Sequence, residues 1–360
     1  MSGRGPHDET ASESEARAAR ASAAGGRLGY RPELDGLRAL SVLVVVVHHV
    51  PGPLKAAMPG AWLGVDVFFA ISGALITRLL LLELERSGTL RLGSFYVRRL
   101  RRLYPAMLTM IVAACLAALV LRGSDFVLGL LPDALIAALY LAGFVVHERA
   151  MPLLGHTWSL SIEELFYLVW PAATLLLARR GLRPLVLLLV LVVLLVPAWR
   201  MHLWLVEFAS SARLYTSPDT RADAIAWGAL AGVIAHRGLV RPHAPWLRAL
   251  GSASALGLAA LVLTASRAET WFAIWGYSLT AILSSIVVLH LFTSGSRWLS
   301  SPTLTWIGKR SYGIYLWHVP VLELGLPLGV PAWILLLVTL AFTVLSYRYV
   351  EQPLRAPSGA

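Results

Sequence analysis

Between Tyr30 and Val50 the chain reads YRPELDGLRALSVLVVVVHHV, with Arg38 at the foot of an apolar run and His48-His49 at its head. Arg38 and His49 are eleven residues apart, and eleven steps of about 100° make roughly three helical turns. The two side chains therefore share one face of a helix, roughly 16 Å apart along its axis. Ionisable groups at such depths in an apolar helix face a bundle interior or an aqueous cavity, because lipid exposure is costly. His48 and His49 point about 100° apart, and alignment with Arg38 selects His49 as the one facing a site. For Arg38 alone, an interfacial anchor that snorkels is the competing reading.

Further along, Asp66 sits in GVDVFFAISG, early in the second apolar run. A carboxylate there calls for a partner. An imidazole such as His49 would gain a fixed tautomer and added basicity from it, which suits general-base activation of a hydroxyl. A helix cap is the other role open to Asp66. The segment HTWSLSIEELFYLVWP supplies His156, Ser159, Ser161, Glu163, Glu164 and Tyr167 at a helix entrance. One glutamate there suits the helix dipole, but two adjacent ones face different ways. Glu163, Glu164 and Tyr167 are accordingly expected to line a polar acceptor site. In SYGIYLWHVP, Tyr312, Tyr315 and His318 drift slowly around one helix side. Tyr315 and His318 are candidates for the same site, although tyrosines also populate interfacial belts. The run FYVRRLRRLYP gathers Arg98, Arg99, Arg101 and Arg102. Guanidinium forks match phosphates, while topology and anionic-lipid contact are the plain alternative.

The elements that must position these residues are membrane helices. Of 360 residues 57% are hydrophobic and 14% charged, against about 25% charged in soluble domains, and apolar segments of nearly spanning length recur throughout. The net charge of +11 comes largely from arginines in short connections. It therefore reports topology rather than a nucleic-acid partner. Cys115 is the single cysteine, so no intrachain disulfide forms. Residues 1–29 read as a disordered cytoplasmic tail without a signal-peptide core, 30–355 as the membrane domain, and 356–360 as a C-terminal tail.

Arginine-rich connections at 91–102, 179–183, 237–248 and 297–310 should all be cytoplasmic. Between the first two lie three apolar stretches, 105–121, 126–146 and 159–178, and parity requires that one of them does not cross. The weakest, 126–146, contains Pro132 and Asp133 and reads as re-entrant or interfacial. The fold expected is all-α and polytopic, with about ten transmembrane helices, an eleventh if 126–146 crosses, and both termini cytoplasmic. Trp62, Trp158, Trp170, Trp199, Trp271 and Trp298 fall near predicted helix ends, as an aromatic belt would place them.

Taken in order, DGLRALSVLVVVVHH, GVDVFFAISG, FYVRRLRRLYP, HTWSLSIEELFYLVWP, SYGIYLWH and YVEQPLR resemble the acyltransferase 3 family of polytopic membrane acyltransferases. The resemblance spans about Tyr30 to Arg355. It implies ten or eleven helices, an acyl-CoA donor (usually acetyl-CoA) arriving from the cytoplasm, no metal, and a hydroxyl acceptor on a carbohydrate or macrolide-like molecule. It also implies a plasma-membrane location. By the family's pattern His49 is the catalytic histidine, Arg38 its motif partner, and Arg98, Arg99, Arg101 and Arg102 the basic segment that handles the donor. The family's usual EEQFY appears here with Leu165 in place of glutamine. Many relatives carry a further SGNH-hydrolase-like domain, and this chain resembles the stand-alone type. The mechanism expected has His49, oriented by Asp66, deprotonating the acceptor as it attacks the thioester; an acyl-histidine intermediate is the second route. The alternative from another class is a transporter exporting a small organic acid or lipid-linked sugar, with the same charges as a relay.

Overall fold

The computed structural model describes residues 29–355. The two predicted tails, apart from Gly29, lie outside the described residues. Eleven helices of 15 residues or more carry the fold. They are α1 (Pro32–His49), α2 (Gly64–Ser87), α3 (Leu92–Arg122), α4 (Ser124–Ala138), α5 (Trp158–Ala178) and α6 (Leu182–Leu205). There follow α7 (Pro218–His236), α8 (Pro245–Thr264), α9 (Tyr277–Ser294), α10 (Ser311–Gly325) and α11 (Ala332–Ser346). No strand occurs among the described residues.

Seven helical segments, built on α2, α3, α5, α6, α8, α9 and α11, are long and apolar enough to cross a membrane. Three more, α1, α7 and α10, pack into the same bundle but fall outside that set. Each departs from the simple pattern for a visible reason. Glu33, Asp35 and Arg38 crowd the foot of α1, Asp219, Arg221 and Asp223 the start of α7, and α10 has only 15 residues. Charges are tolerable on these helices because protein, not lipid, surrounds them. The chain is a polytopic helical protein of the plasma membrane.

Two boundaries differ from the sequence reading. The basic segment and the third apolar run form one helix, α3, whose 31 residues extend about 46 Å. It outruns an apolar slab of about 30 Å, so its first turns hold the arginines clear of the hydrocarbon. The stretch 126–146 is broken, with α4 ending at Ala138, Tyr140 taking a positive φ of 57°, and a short helix at Ala142–Val145. The 15 residues of α4 reach only about 22 Å, too short to cross unaided.

At the centre, α2 and α7 approach until backbone meets backbone. A Cβ on Gly73 would lie 2.1 Å from the Ile225 carbonyl oxygen, and one on Gly228 2.3 Å from that of Ala70. Gly228 and Gly232 form the small-xxx-small spacing that lets membrane helices pack this closely. The same crossing buries two ion pairs. Asp66 on α2 bonds Arg221 on α7, and Arg200 on α6 grips Asp223 on α7 in a two-pronged fork at 2.9 and 2.8 Å. All four side chains are fully buried. Arg200 also donates to the carbonyls of Thr220 and Ile274, and the Ser278 hydroxyl of α9 donates to Asp223 at 2.5 Å. Arg221 and Asp223 are two residues apart, so they point to nearly opposite sides of α7. One charge ties α7 to α2, the other to α6 and α9.

Removing one partner of a buried pair strands the other. Arg200→Met is expected to lose about 3–5 kcal/mol of stability, measured by thermal unfolding in detergent. Arg200→Met/Asp223→Leu should lose markedly less, since no lone charge remains; equal losses would mean that the pair does not hold α6 against α7.

Candidate functional site

Two cavities are stacked along the same four helices. The larger, about 1070 Å³, is lined from α1 by Asp35 and Arg38, from α2 by Val65, Phe69 and Ser72, from α5 by Ser159, Glu163 and Tyr167, and from α10 by Ser311, Tyr312 and Tyr315. On α1, α2 and α5 these residues recur every three or four positions, so each set traces one helix face. Its other end is ringed by Arg86, Arg91, Arg98, Arg101, Arg102 and Lys309. The smaller cavity, about 220 Å³, is lined by His48, His49, His156, Trp62, Trp158, Tyr215 and Arg267 among others. Val65 and Tyr315 line both, so they stand as the partition between them.

α1 therefore does what its spacing predicts, presenting Arg38 to one cavity and His49 to the other. Arg38 bonds Asp35 one turn below it at 3.2 Å. Arg98, Arg99, Arg101 and Arg102 all reach the larger cavity. Arg99 lies over the Tyr167 ring at 4.8 Å, a cation–π contact.

Asp66 does not orient His49. It follows Val65, which faces the cavities, and so points about 100° away, into Arg221 of α7. His318 stands against His49 instead, its Nε2 lying 3.2 Å from His49 Nδ1. His318 Nδ1 is 2.6 Å from the Tyr315 carbonyl, which can only accept, so Nδ1 carries the proton and Nε2 is the acceptor. His49 Nδ1 also faces the Val45 carbonyl at 3.0 Å. Its proton is thus on Nδ1, shared between two acceptors, and Nε2 is left with a lone pair. The chain Tyr315 carbonyl, His318, His49 runs through one defined pair of tautomers.

A proline sets the third histidine. Pro320 lacks the N–H that would bond the Leu316 carbonyl within α10. His156 Nε2 donates to that carbonyl at 3.2 Å, leaving His156 Nδ1 without a hydrogen-bond partner. The Tyr315 hydroxyl donates to the His156 carbonyl at 2.6 Å and meets Ser159 Oγ at 2.6 Å. His156, His318 and Tyr315 therefore hold one another, and His156 and His318 are 5.5 Å apart between ring centroids.

Glu163 and Tyr167 lie with the arginines, not with the histidines. Ser72 donates to Glu163 at 3.0 Å, and the Tyr167 hydroxyl is 3.0 Å from Ser72 Oγ and 3.3 Å from Glu163. They stand one and two turns below Ser159 and line the larger, basic cavity. Glu164 lines neither of these two cavities. The aromatic-belt reading fails for three of the six tryptophans named for it. Trp62, Trp158 and Trp170 are buried, whereas Trp199, Trp271 and Trp298 are exposed. Sequence reasoning left out Arg267, Lys309 and the buried Arg200, Arg221 and Asp223. The intramembrane charges in AWRMHLW and PDTRADA were a readable signal of buried pairs, whereas Arg267 lies in a polar connection that resembles any other.

The bundle thus holds two polar chambers that meet at a tyrosine and a valine, one basic and one histidine-lined. Residues 31–348 match the acyltransferase domain of the acyltransferase 3 family, and the chain belongs to it. It is 34% identical over 351 residues to the peptidoglycan O-acetyltransferase OatA of Listeria monocytogenes, covering 91% of this chain and 56% of that protein. Similarity is 29% over 350 residues to the O-acetyltransferase OatA of Staphylococcus aureus (strain NCTC 8325), with 91% and 57% covered. The chain thus spans a little over half the length of the curated relatives it matches. No solved structure gave a significant match.

The tautomer assignment is directly testable. In nitrogen-15 NMR of histidine-labelled protein, His49 is expected to show Nδ1 protonated and Nε2 bare, and His318→Phe to mix the two forms. A wild-type His49 protonated on Nε2 would contradict the relay.

Proposed function

We propose that the protein is a membrane O-acyltransferase that moves an acyl group, most simply acetyl, from acyl-CoA to a hydroxyl of a carbohydrate acceptor. The observation that carries this reading is the larger cavity, which leads from the arginine ring to the partition beside His49. Its volume of about 1070 Å³ is at the upper end for small-molecule sites and suits a long donor. Phosphates would sit on Arg98, Arg101, Arg102 and Lys309 as charge-assisted bonds, and the pantetheine arm would run past Ser72 and Glu163 toward Tyr315. The positive-inside rule puts this mouth in the cytoplasm and the histidine cavity on the outer side. The O-acetyltransferase names of the relatives support the acyl group and a glycan acceptor; a macrolide-like alcohol would present the same nucleophile.

In the reaction, His49 Nε2 removes the acceptor hydroxyl proton as the oxygen attacks the thioester carbonyl. The carbon–oxygen bond forms, the carbon–sulfur bond breaks, and the proton is passed on to the departing CoA thiolate. His318 stabilises the proton on His49 Nδ1 as charge builds on the ring, the part the sequence reading gave to Asp66. Arg38, held by Asp35, adds a cation on the donor path. Attack by His49 itself to give an acyl-histidine uses the same lone pair.

Free-thiol release from acetyl-CoA by purified protein, with a panel of sugar acceptors, tests the assignment. His49→Ala is expected to lower the rate by about 10²–10⁴-fold. His48→Ala should have far less effect, and Arg98→Gln/Arg102→Gln should raise the KM for acetyl-CoA more than it lowers kcat. Equal release by wild type and His49→Ala would remove His49 from the chemistry.

A further inference from the structure

The smaller cavity contains a cation that the proposed chemistry leaves unused. Arg267 lines it, and its lining includes no aspartate, glutamate or lysine. The fully buried arginines nearby, Arg200 and Arg221, each hold an aspartate. Arg267 has no carboxylate within ion-pair distance among the described residues. The closest acid in sequence, Glu269, is taken by the Trp271 indole N–H. What positions Arg267 is aromatic, its guanidinium lying 5.0 Å from the Trp62 ring centre and 4.5 Å from that of Tyr215. These rings are themselves fixed, edge to face at 5.0 Å, with the Tyr215 hydroxyl donating to the Trp62 carbonyl at 3.1 Å. These ring contacts are cation–π, not conventional hydrogen bonds. Among the described residues the polar contact of Arg267 is to His48 Nε2 at 3.4 Å, which leaves other N–H donors for a forked bond to an anion.

We propose that this cavity selects an acceptor bearing an anionic group, a carboxylate or a phosphate, close to the hydroxyl that is acylated, with Arg267 as its counter-ion. This rests on the acyl-transfer reading above and adds the class of acceptor. Trp62, Trp158 and Tyr215 give the cavity aromatic walls. His49 approaches from α1, and Arg267 stands next to His48, one residue away on the same helix. A volume of about 220 Å³ is below the usual range for whole ligands, so the site takes one unit of a larger acceptor. The anion and the reacting hydroxyl then lie on that unit or its immediate neighbour.

The test compares matched acceptors with acetyl-CoA saturating, reading thiol release. N-acetylmuramic acid is set beside its methyl ester, and N-acetylglucosamine 6-phosphate beside N-acetylglucosamine. Wild-type protein is expected to favour the anion in at least one pair by about tenfold in kcat/KM, and the pair that responds tells carboxylate from phosphate. Arg267→Gln should abolish that preference, the KM for the anionic acceptor rising about tenfold more than that for the neutral one. Arg267→Lys should keep part of it. An absence of preference in wild type overturns the proposal, and that comparison needs no variant to fold. So does a preference that survives in Arg267→Gln, or a kcat lost equally with anionic and neutral acceptors, which would make Arg267 a transition-state stabiliser. Failure of the underlying reading looks different: thiol release that is the same in wild type and His49→Ala with all four acceptors.

Discussion

An unpaired charge inside an apolar slab is the constraint from which this architecture follows. The chain buries Asp66, Arg200, Arg221 and Asp223 completely, and each must meet its opposite. That requirement brings α2, α6, α7 and α9 into one unit, with the glycine faces of α2 and α7 allowing the approach. Against this rigid centre α1, α5 and α10 supply the remaining walls of the two chambers. Buried pairs of this kind contribute little net stability compared with apolar packing. They do penalise every arrangement in which the partners are separated, and so they fix which helix faces which.

The polar groups of the chambers are held by backbone as much as by side chains. Pro320 frees a carbonyl that anchors His156, and the turn before His318 supplies the carbonyl that sets its tautomer. Tyr315 joins the two arrangements and also forms the partition. A donor entering from one side and an acceptor from the other would therefore meet at a wall whose own hydrogen bonds define the protonation of His49. The two chambers share only Val65 and Tyr315 among their lining residues.

Much of this was legible in the sequence because membrane helices announce themselves by length and apolarity, and because arginine in loops fixes parity. The stretch 126–146 was identified as unfit to cross from Pro132 and Asp133, and it is broken. The Arg38–His49 alignment was readable because helical geometry is rigid over three turns. The partner of His49 was not. Asp66 is plausible by depth, and only rotation rules it out, a 100° step that helix register fixes once Val65 is known to face the chambers. The chamber that Glu163 lines is hard to read for a related reason. Helix ends can be estimated from hydropathy to within a turn or so, and one turn is the distance from Ser159 to Glu163, from the partition to the basic chamber. The role of Arg267 was invisible, since its neighbours Trp62 and Tyr215 come from distant parts of the chain.

The central claim is that the two chambers are entered from opposite faces of the membrane. Proteoliposomes of defined orientation, with acetyl-CoA confined to one compartment and a sugar acceptor to the other, test it most directly. The account expects acylated acceptor only when acetyl-CoA is on the face bearing Arg98, Arg101 and Arg102 and the acceptor is opposite. Product formed only when donor and acceptor share a compartment would contradict it.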